Sequence, residues 1–205
     1  MSEFSKNDVT LIEKEPLFSG FFKMFRYHFK HKKYDGSYTD IVQREVFERG
    51  HAVAVLPYDI RTREFVLIEQ FRYPAIETSD DPWMIEVIAG IIEPDEQEVE
   101  VCYREAVEEA GVELYNIHKA LTYLSSPGGT TERLHIYMAE VDATTAQGVH
   151  GLDNESEDIK VLRVSENQAK HWLDEGKIDN AAAIIALQWF FLNKAGLLEH
   201  WQSQA

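Results

Sequence analysis

Glu105, Glu108 and Glu109 stand three and four residues apart in Glu96–Ala110, a segment whose apolar residues recur with a helical period. On a helix turning about 100° per residue, Glu109 falls about 40° to one side of Glu105 and Glu108 about 60° to the other. Three carboxylates therefore share one face. Val99, Cys102, Ala106 and Ala110 form the neighbouring apolar stripe, so the carboxylates lie at the border of the core. Like charges at these spacings cost an isolated helix about 0.2–0.5 kcal/mol per pair, and only Arg104 offsets them within the segment. A divalent cation would convert that repulsion into binding, and hard ions such as Mg²⁺ take carboxylate oxygens. Three glutamates alone, however, equally describe the solvated face of an acidic helix.

The wider spacing separates the two readings. Gly90, Glu96, Arg104, Glu105, Glu108, Glu109, Gly111 and Val112 fit the pattern G-x5-E-x7-R-E-U-x-E-E-x-G-U, where U is bulky and apolar; Ala106 is a small occupant of the other U position. On these residues the chain resembles the Nudix hydrolase family. The resemblance implies a loop–helix–loop that holds two or three Mg²⁺ or Mn²⁺ ions against a pyrophosphate. It assigns Glu105 and Glu109 as principal metal ligands, with Glu108 close by and the Ala89 carbonyl as a backbone ligand. Glu96 and Arg104 are expected to pair and shape the loop, and Gly90 to serve backbone geometry. Gly111 is placed to end the helix in a left-handed conformation.

A second signature, Ser126-Pro127-Gly128-Gly129-Thr130-Thr131-Glu132, follows the first and is similar to that of the ADP-ribose pyrophosphatase branch of the family. A loop stiff at its proline and bare at its glycines lets backbone approach a ligand closely, although such loops are also ordinary turns. The resemblance extends over nearly the whole chain. It implies hydrolysis of ADP-ribose to AMP and ribose 5-phosphate, and a domain-swapped homodimer. The substrate-binding set it implies is Phe21, Phe22, Arg44, Glu45, Arg49, Arg72, Ile91, Ser126, Pro127, Gly128 and Glu132. An aromatic ring suits adenine, a carboxylate suits its amino group, and arginines suit phosphate; Phe22 and Ile91 equally suit a core. Another acidic run, Asp153–Asp158, lacks the sixth-position glycine and twelfth-position glutamate of a calcium loop. By resemblance Glu155 is the general base and Glu157 a further metal ligand. If the run is extended, both point the same way, and either could take the base's role. Alternatives are another nucleoside diphosphate sugar or a diadenosine compound as substrate, or a non-catalytic domain sensing ADP-ribose. The full set of box glutamates argues against the last.

These residues need elements to hold them. The chain has 205 residues, with 20 Lys+Arg against 36 Asp+Glu and a formal charge of −16. That balance argues against nucleic acid or an anionic membrane as partner. The single cysteine, Cys102, excludes an internal disulfide and any multi-cysteine metal site. The start of the chain has no basic-then-apolar leader, and the longest apolar stretch, Ala181–Leu192, is short for a membrane span. A cytoplasmic protein is expected. Residues 1–50 read as a small antiparallel unit, with Phe25, Tyr27 and Phe29 alternating and Asp35-Gly36 turning into a strand over Ser37–Val46; the resemblance implies that it serves dimerisation and part of the adenine pocket. Residues 51–205 read as the hydrolase domain. Its strands are expected at Ala52–Leu56, Phe65–Gln70, Met84–Ala89, Ala120–Leu124, Leu134–Val141 and Ile159–Val164. Ser165 is expected to open a helix ending at Gly176, and Asn180 one running through Leu192. The order predicts an α+β fold, a mixed sheet between helices (α/β/α), with the small β unit in front.

Overall fold

A computed structural model describes residues 3–203. The chain forms two compact units. The first takes in the chain up to His51 together with Leu124–Arg133; the second takes in Ala52–Tyr123 and the chain from Leu134 onward. The division at His51 lies one residue from the expected boundary, but the 124–133 loop belongs to the small unit, which spacing along the chain did not indicate.

The small unit is an antiparallel sheet of β1 (Val9–Ser19), β2 (Lys23–His31) and β3 (Val42–Glu48), in that order. Strand β1 was not expected. Its sequence, VTLIEKEPLFS, mixes charges and a proline that usually argue against a strand. Pro16 is tolerated because β1 is an edge strand, and the β1–β2 register shifts between Pro16 and Phe18. Strands β2 and β3 pair as predicted, with Tyr27 opposite Arg44 and Arg26 opposite Glu45. The predicted strand 37–46, however, starts later, at Val42. Asp35-Gly36 does turn, with Gly36 at φ +84° and Asp35 accepting from the Ser37 amide, but inside a longer loop.

In the second unit, β4 (Ala52–Asp59), β5 (Glu64–Phe71), β6 (Trp83–Glu86), β7 (Ile88–Ile91), β8 (Leu114–Leu124), β9 (Arg133–Val141), β10 (Val149–His150) and β11 (Ile159–Ser165) make one sheet. Its order is β10-β11-β5-β4-β9-β8, with β6 on β5 and β7 on β4. Strands β4 and β9 run parallel, whereas β4–β5, β4–β7, β5–β6 and β5–β11 are antiparallel. The sheet is therefore mixed. All eight residues of β4 are buried, as befits a central strand covered on both faces. Its side chains alternate between two cores. Val53 and Val55 join Val101, Cys102, Ala106 and Ala110 of α1 (Glu98–Ala110). Ala54, Leu56 and Tyr58 join residues of α2 (Glu166–Asp174) and α3 (Ala181–Gln202). That is the predicted layer arrangement.

Three departures have local causes. Pro57 does not end β4. It lies where β4 changes partner on one side, from β7 at Ala52–Val55 to β5 at Tyr58–Asp59, so no ladder bond to either is lost. The run Met84–Ala89 is two strands, breaking at Val87 as pairing passes from β5 to β4. Helix α3 continues ten residues beyond Leu192, because Leu197 and Trp201, four apart, still reach the core. At 22 residues, with a mean hydropathy of 1.5 over its best window, α3 meets the length and composition of a membrane span, contrary to the reading of Ala181–Leu192. Its buried residues, Phe190 and Leu187 among them, pack in the second core.

Candidate active site

Helix α1 brings the box carboxylates to one place. Glu100 accepts from the Gln97 amide at its start, and Gly111, at φ +61°, ends it. A Cβ on Gly111 would come within 2.4 Å of His150, so both conformation and space require glycine there. Cys102, Ala106 and Ala110 face the core. Glu109 is carried further inward than the expected border position, being only 4% exposed. Its Oε2 accepts from the Ala89 amide at 3.0 Å, which ties the helix to β7.

Gly90, next along β7, lies against the Glu105 side chain. A Cβ at position 90 would sit 1.8 Å from Glu105 Oε1. Glycine is thus needed here for close approach, and Glu105 is 13% exposed. Burial pushes the Glu109 carboxyl up to about 8, and the charges of Glu105 and Glu157 add to the rise. Glu105 is pushed up to about 7, again mainly by burial, although Arg104 pulls it back. Ionising both groups would put more negative charge here than their surroundings neutralise.

Arg104 is the counter-charge present. Its Nη1 donates to Glu105 Oε1 at 2.7 Å and to Glu108 Oε2 at 2.9 Å. Its Nε and Nη2 donate to the two oxygens of Glu96 at 3.1 and 3.3 Å. Glu96 lies outside α1, in the preceding loop, and also accepts from the Glu93 amide. The expected Glu96–Arg104 pair therefore exists, and the same guanidinium reaches Glu105 and Glu108.

The 151–158 segment differs from its expected form. Asp153–Glu155 is a single 3-10 turn and Ser156 is left-handed at φ +57°, so the segment is not extended and Glu155 and Glu157 do not share a face. The Asx- and Glu-rich composition favours such turns over a strand. Glu157 Oε2 accepts from the Leu152 amide at 3.0 Å. Its charge acts on Glu105, Glu109 and Arg72, which places it with the box carboxylates. Glu155 is exposed. The Gly151 amide donates to the Glu108 carbonyl, fastening this segment to the end of α1.

Arg72 forms a two-pronged ion pair with Glu86, Nη2 to Oε2 at 2.7 Å and Nε to Oε1 at 3.2 Å. Glu86 was missed. No spacing signals it; it becomes visible only when β6 pairs with β5. Ile91 is half-buried on β7. Among the described residues, no three acidic, histidine or cysteine side chains already close around a common point. The donor set nonetheless fits a divalent cation: buried oxygens, excess negative charge, and a backbone cleared of side chain at Gly90.

The small unit collects most of the remaining predicted residues. A cavity of about 500 Å³ is lined by Tyr27, Phe29, Arg44 and the backbone-rich loop Pro127–Thr131 among others. The loop is folded on itself, with Gly129 and Thr130 amides donating to the Ser126 carbonyl, and it joins β3 through Phe47 N to Gly129 O at 2.8 Å. Arg49 lies over the Phe22 ring at 5.3 Å and pairs with Glu132 at 3.1 Å. Phe22 stacks edge-on against Phe47. Phe21 is 86% exposed. Glu45 does not join Arg44 at the cavity, since neighbours on a strand face opposite ways; it pairs with Arg26 at 3.0 Å.

The sequence profile described as the NUDIX domain matches residues 48–201. The ADP-ribose pyrophosphatase of Escherichia coli K12 is 50% identical over 198 residues, covering 97% of this chain and 95% of that protein. That of Haemophilus influenzae is 42% identical, covering 98% and 94%. A GDP-mannose pyrophosphatase of Pectobacterium atrosepticum is 32% identical, covering 88% and 92%. A solved structure described as an ADP compounds hydrolase superposes with a TM-score of 0.71 at 17% identity, covering 92% of this chain and 95% of its own; that likeness concerns the fold.

Proposed function

The chain belongs to the Nudix family, and from that premise we propose that it is an ADP-ribose pyrophosphatase: it adds water across the pyrophosphate of ADP-ribose, one P–O bond breaking to release AMP and ribose 5-phosphate. The observation that carries this is the buried Glu105–Glu109 pair on a helix held against Gly90, in a chain half identical to named ADP-ribose pyrophosphatases over nearly its full length. Nudix hydrolases generally use divalent metal ions. Here Glu105, Glu109, Glu108, Glu157 and the Ala89 carbonyl would hold two or three Mg²⁺ or Mn²⁺ ions, which supply neutralisation of phosphate charge and acidification of water.

The chain's own residues do the rest. Arg104 holds Glu96, Glu105 and Glu108 together before ions arrive, and Arg72, kept in place by Glu86, presents positive charge beside the carboxylates. Glu155 is assigned as the general base. It is exposed, and its turn is preceded by Gly148 and Gly151, both at positive φ. A base engaged with no other group keeps its lone pairs for the water proton. Arg44, Glu45, Arg49, Phe21, Phe22, Ile91, Ser126, Pro127, Gly128 and Glu132 are assigned to the nucleoside and ribose.

We assign a domain-swapped homodimer, in which Phe21 of one chain serves the partner's adenine site. In support, no residue of β1, β2 or β3 is buried, while Leu11, Ile12, Phe18 and Phe21 are exposed apolar side chains. Light scattering on a fully active monomer would refute this. We assign the protein to the cytoplasm, on its acidity and single cysteine. The GDP-mannose pyrophosphatase relatives favour a second substrate reading. Chromatography of products from ADP-ribose, GDP-mannose and a diadenosine compound, with Mg²⁺ and with EDTA, tests both: the first reading requires that ADP-ribose be cleaved fastest and only with metal.

A further inference from the structure

One polar cluster, centred on a residue at none of the specified positions of the box, is not accounted for by the reaction. Glu98, in the first turn of α1, accepts from Tyr137 Oη and Lys119 Nζ through one carboxylate oxygen. Its other oxygen lies 3.2 Å from His135 Nδ1. His135 in turn meets Thr122 Oγ1 at 3.0 Å and Lys119 Nζ at 3.2 Å. Three side chains from β8 and β9 therefore converge on one helical glutamate, with Thr122 behind His135. Burial opposes its charge, yet the Lys119 and Tyr137 bonds hold its carboxyl below the usual range. An ionised hub bound by several donors is among the stronger non-covalent anchors a helix can have.

We propose that the Glu98 hub is a positioning device for the metal-binding face of α1, fixing how the helix is rolled and slid against the sheet and so where Glu105 and Glu109 point. This rests on the reading of those two residues as metal ligands. Glu98 and Glu105 are two turns apart and within about 20° on the helix surface, so the hub acts on the same face. A roll of about 10° moves atoms at the helix's outer radius, roughly 5–6 Å from its axis, by about 1 Å. Misplacement on that scale costs about 100-fold where geometry is demanding. The tolerance is small, because Gly90 lies in contact with Glu105 and leaves no room for even a methyl group. Further along α1, apart from the Arg104–Glu96 pair, the polar side-chain bonds are made by the prospective ligands themselves: Glu109 accepts from the Ala89 amide, and Glu105 and Glu108 accept from Arg104. Those bonds change when the ligands bind something else. Glu98 is seven residues away and engaged elsewhere, so its hold persists through loading and release.

The test uses the full chain and two substitutions, Glu98→Gln, which removes the charge and keeps the shape, and Tyr137→Phe, which removes one bond and keeps the charge. Calorimetric titration with Mn²⁺ alone, without nucleotide, gives metal affinity independently of turnover; kcat and KM for ADP-ribose are measured across a Mg²⁺ series. Positioning predicts that Glu98→Gln weakens Mn²⁺ binding about 10-fold and shifts the Mg²⁺ requirement upward in parallel. KM for ADP-ribose at saturating Mg²⁺ stays within about 2-fold, and Glu98→Asp recovers part of the loss. Tyr137→Phe shows the same pattern more weakly, and decides alone if Glu98→Gln does not fold. Unchanged Mn²⁺ affinity and unchanged kcat in a folded Glu98→Gln, with only a lower melting temperature, would overturn the proposal and leave a purely structural anchor. A wild-type chain that binds no Mn²⁺ would overturn the ligand assignment first and this proposal with it.

Discussion

Replacing Glu109 with Gln should make the metal-free protein more stable and the enzyme inactive. Glu109 is 4% exposed, and its carboxyl is pushed from 4.5 up to about 8 by burial and by the charges of Glu105 and Glu157. A rise of that size corresponds to about 5 kcal/mol against the ionised form. Glu105 shares the burden, so one substitution should recover only part, about 2–4 kcal/mol. Glutamine keeps an oxygen for the Ala89 amide and removes only the charge. The sign follows from proton counting. A carboxyl raised in the folded state keeps its proton where the unfolded chain has lost it, so its stabilising contribution is whole below about 4.5 and disappears as pH climbs through about 8. In EDTA at pH 8.5, Glu109→Gln should therefore melt about 5–15 °C above wild type, while at pH 5 the two should nearly coincide. Thermal unfolding at both pH values, followed by circular dichroism, measures this. Equal destabilisation at both would refute the view that an uncompensated charge is stored at this site.

Turnover gives further checks. Glu105→Gln should lose nearly all activity at any Mg²⁺ concentration, whereas Glu96→Gln, which disturbs only the loop and its Arg104 partner, should lose about 10-fold or less; a fully active Glu105→Gln would end the metal assignment. Glu155→Gln should lower kcat by about 10²–10⁴-fold with KM nearly kept, and Glu157→Gln should show a loss that extra Mg²⁺ partly restores; the reverse pattern exchanges the two roles. Glu166, half a clamp with Arg63, Lys194 and Tyr58, is held down at about 2 by those partners despite burial. Its contribution is present above about 4.5 and fades as pH falls toward 2, so Glu166→Gln should cost about 1–3 kcal/mol in urea unfolding at pH 7 and little near pH 2.5; a constant cost would mean packing rather than charge.

The parts of this protein that could be read in its sequence are those where cause and effect lie close together along the chain. The box places Glu105, Glu108 and Glu109 within about one turn of a single helix, so spacing alone arranges these carboxylates. The alternation of Phe25, Tyr27 and Phe29 similarly gives β2. Legibility fails where partners come from afar. Arg72 finds Glu86 only through the β5–β6 pairing, and Glu98 finds Tyr137 and His135 only through β9. Strand β1 was hidden because edge position, not propensity, makes Pro16 acceptable. For Glu155 and Glu157, parity misled: Ser156 adopts a left-handed conformation that no period-two argument anticipates.

The small unit is built from two stretches of chain separated by residues 52–123. Its loop, 124–133, bonds to β3 through Phe47 and pairs Glu132 with Arg49. On a ribosome adding roughly 5–20 residues per second, strands β1–β3 would emerge some 4–16 s before that loop exists. During this interval a sheet without any buried residue has only its own neighbours to hold it. An exposed edge strand of that kind, with Leu11, Ile12 and Phe18 uncovered, is open to pairing with the same strands of a nascent chain nearby. Assembly of this protein would then be a matter of timing during synthesis, and chains released from neighbouring ribosomes on one message would have the best opportunity to exchange strands before each completes its own.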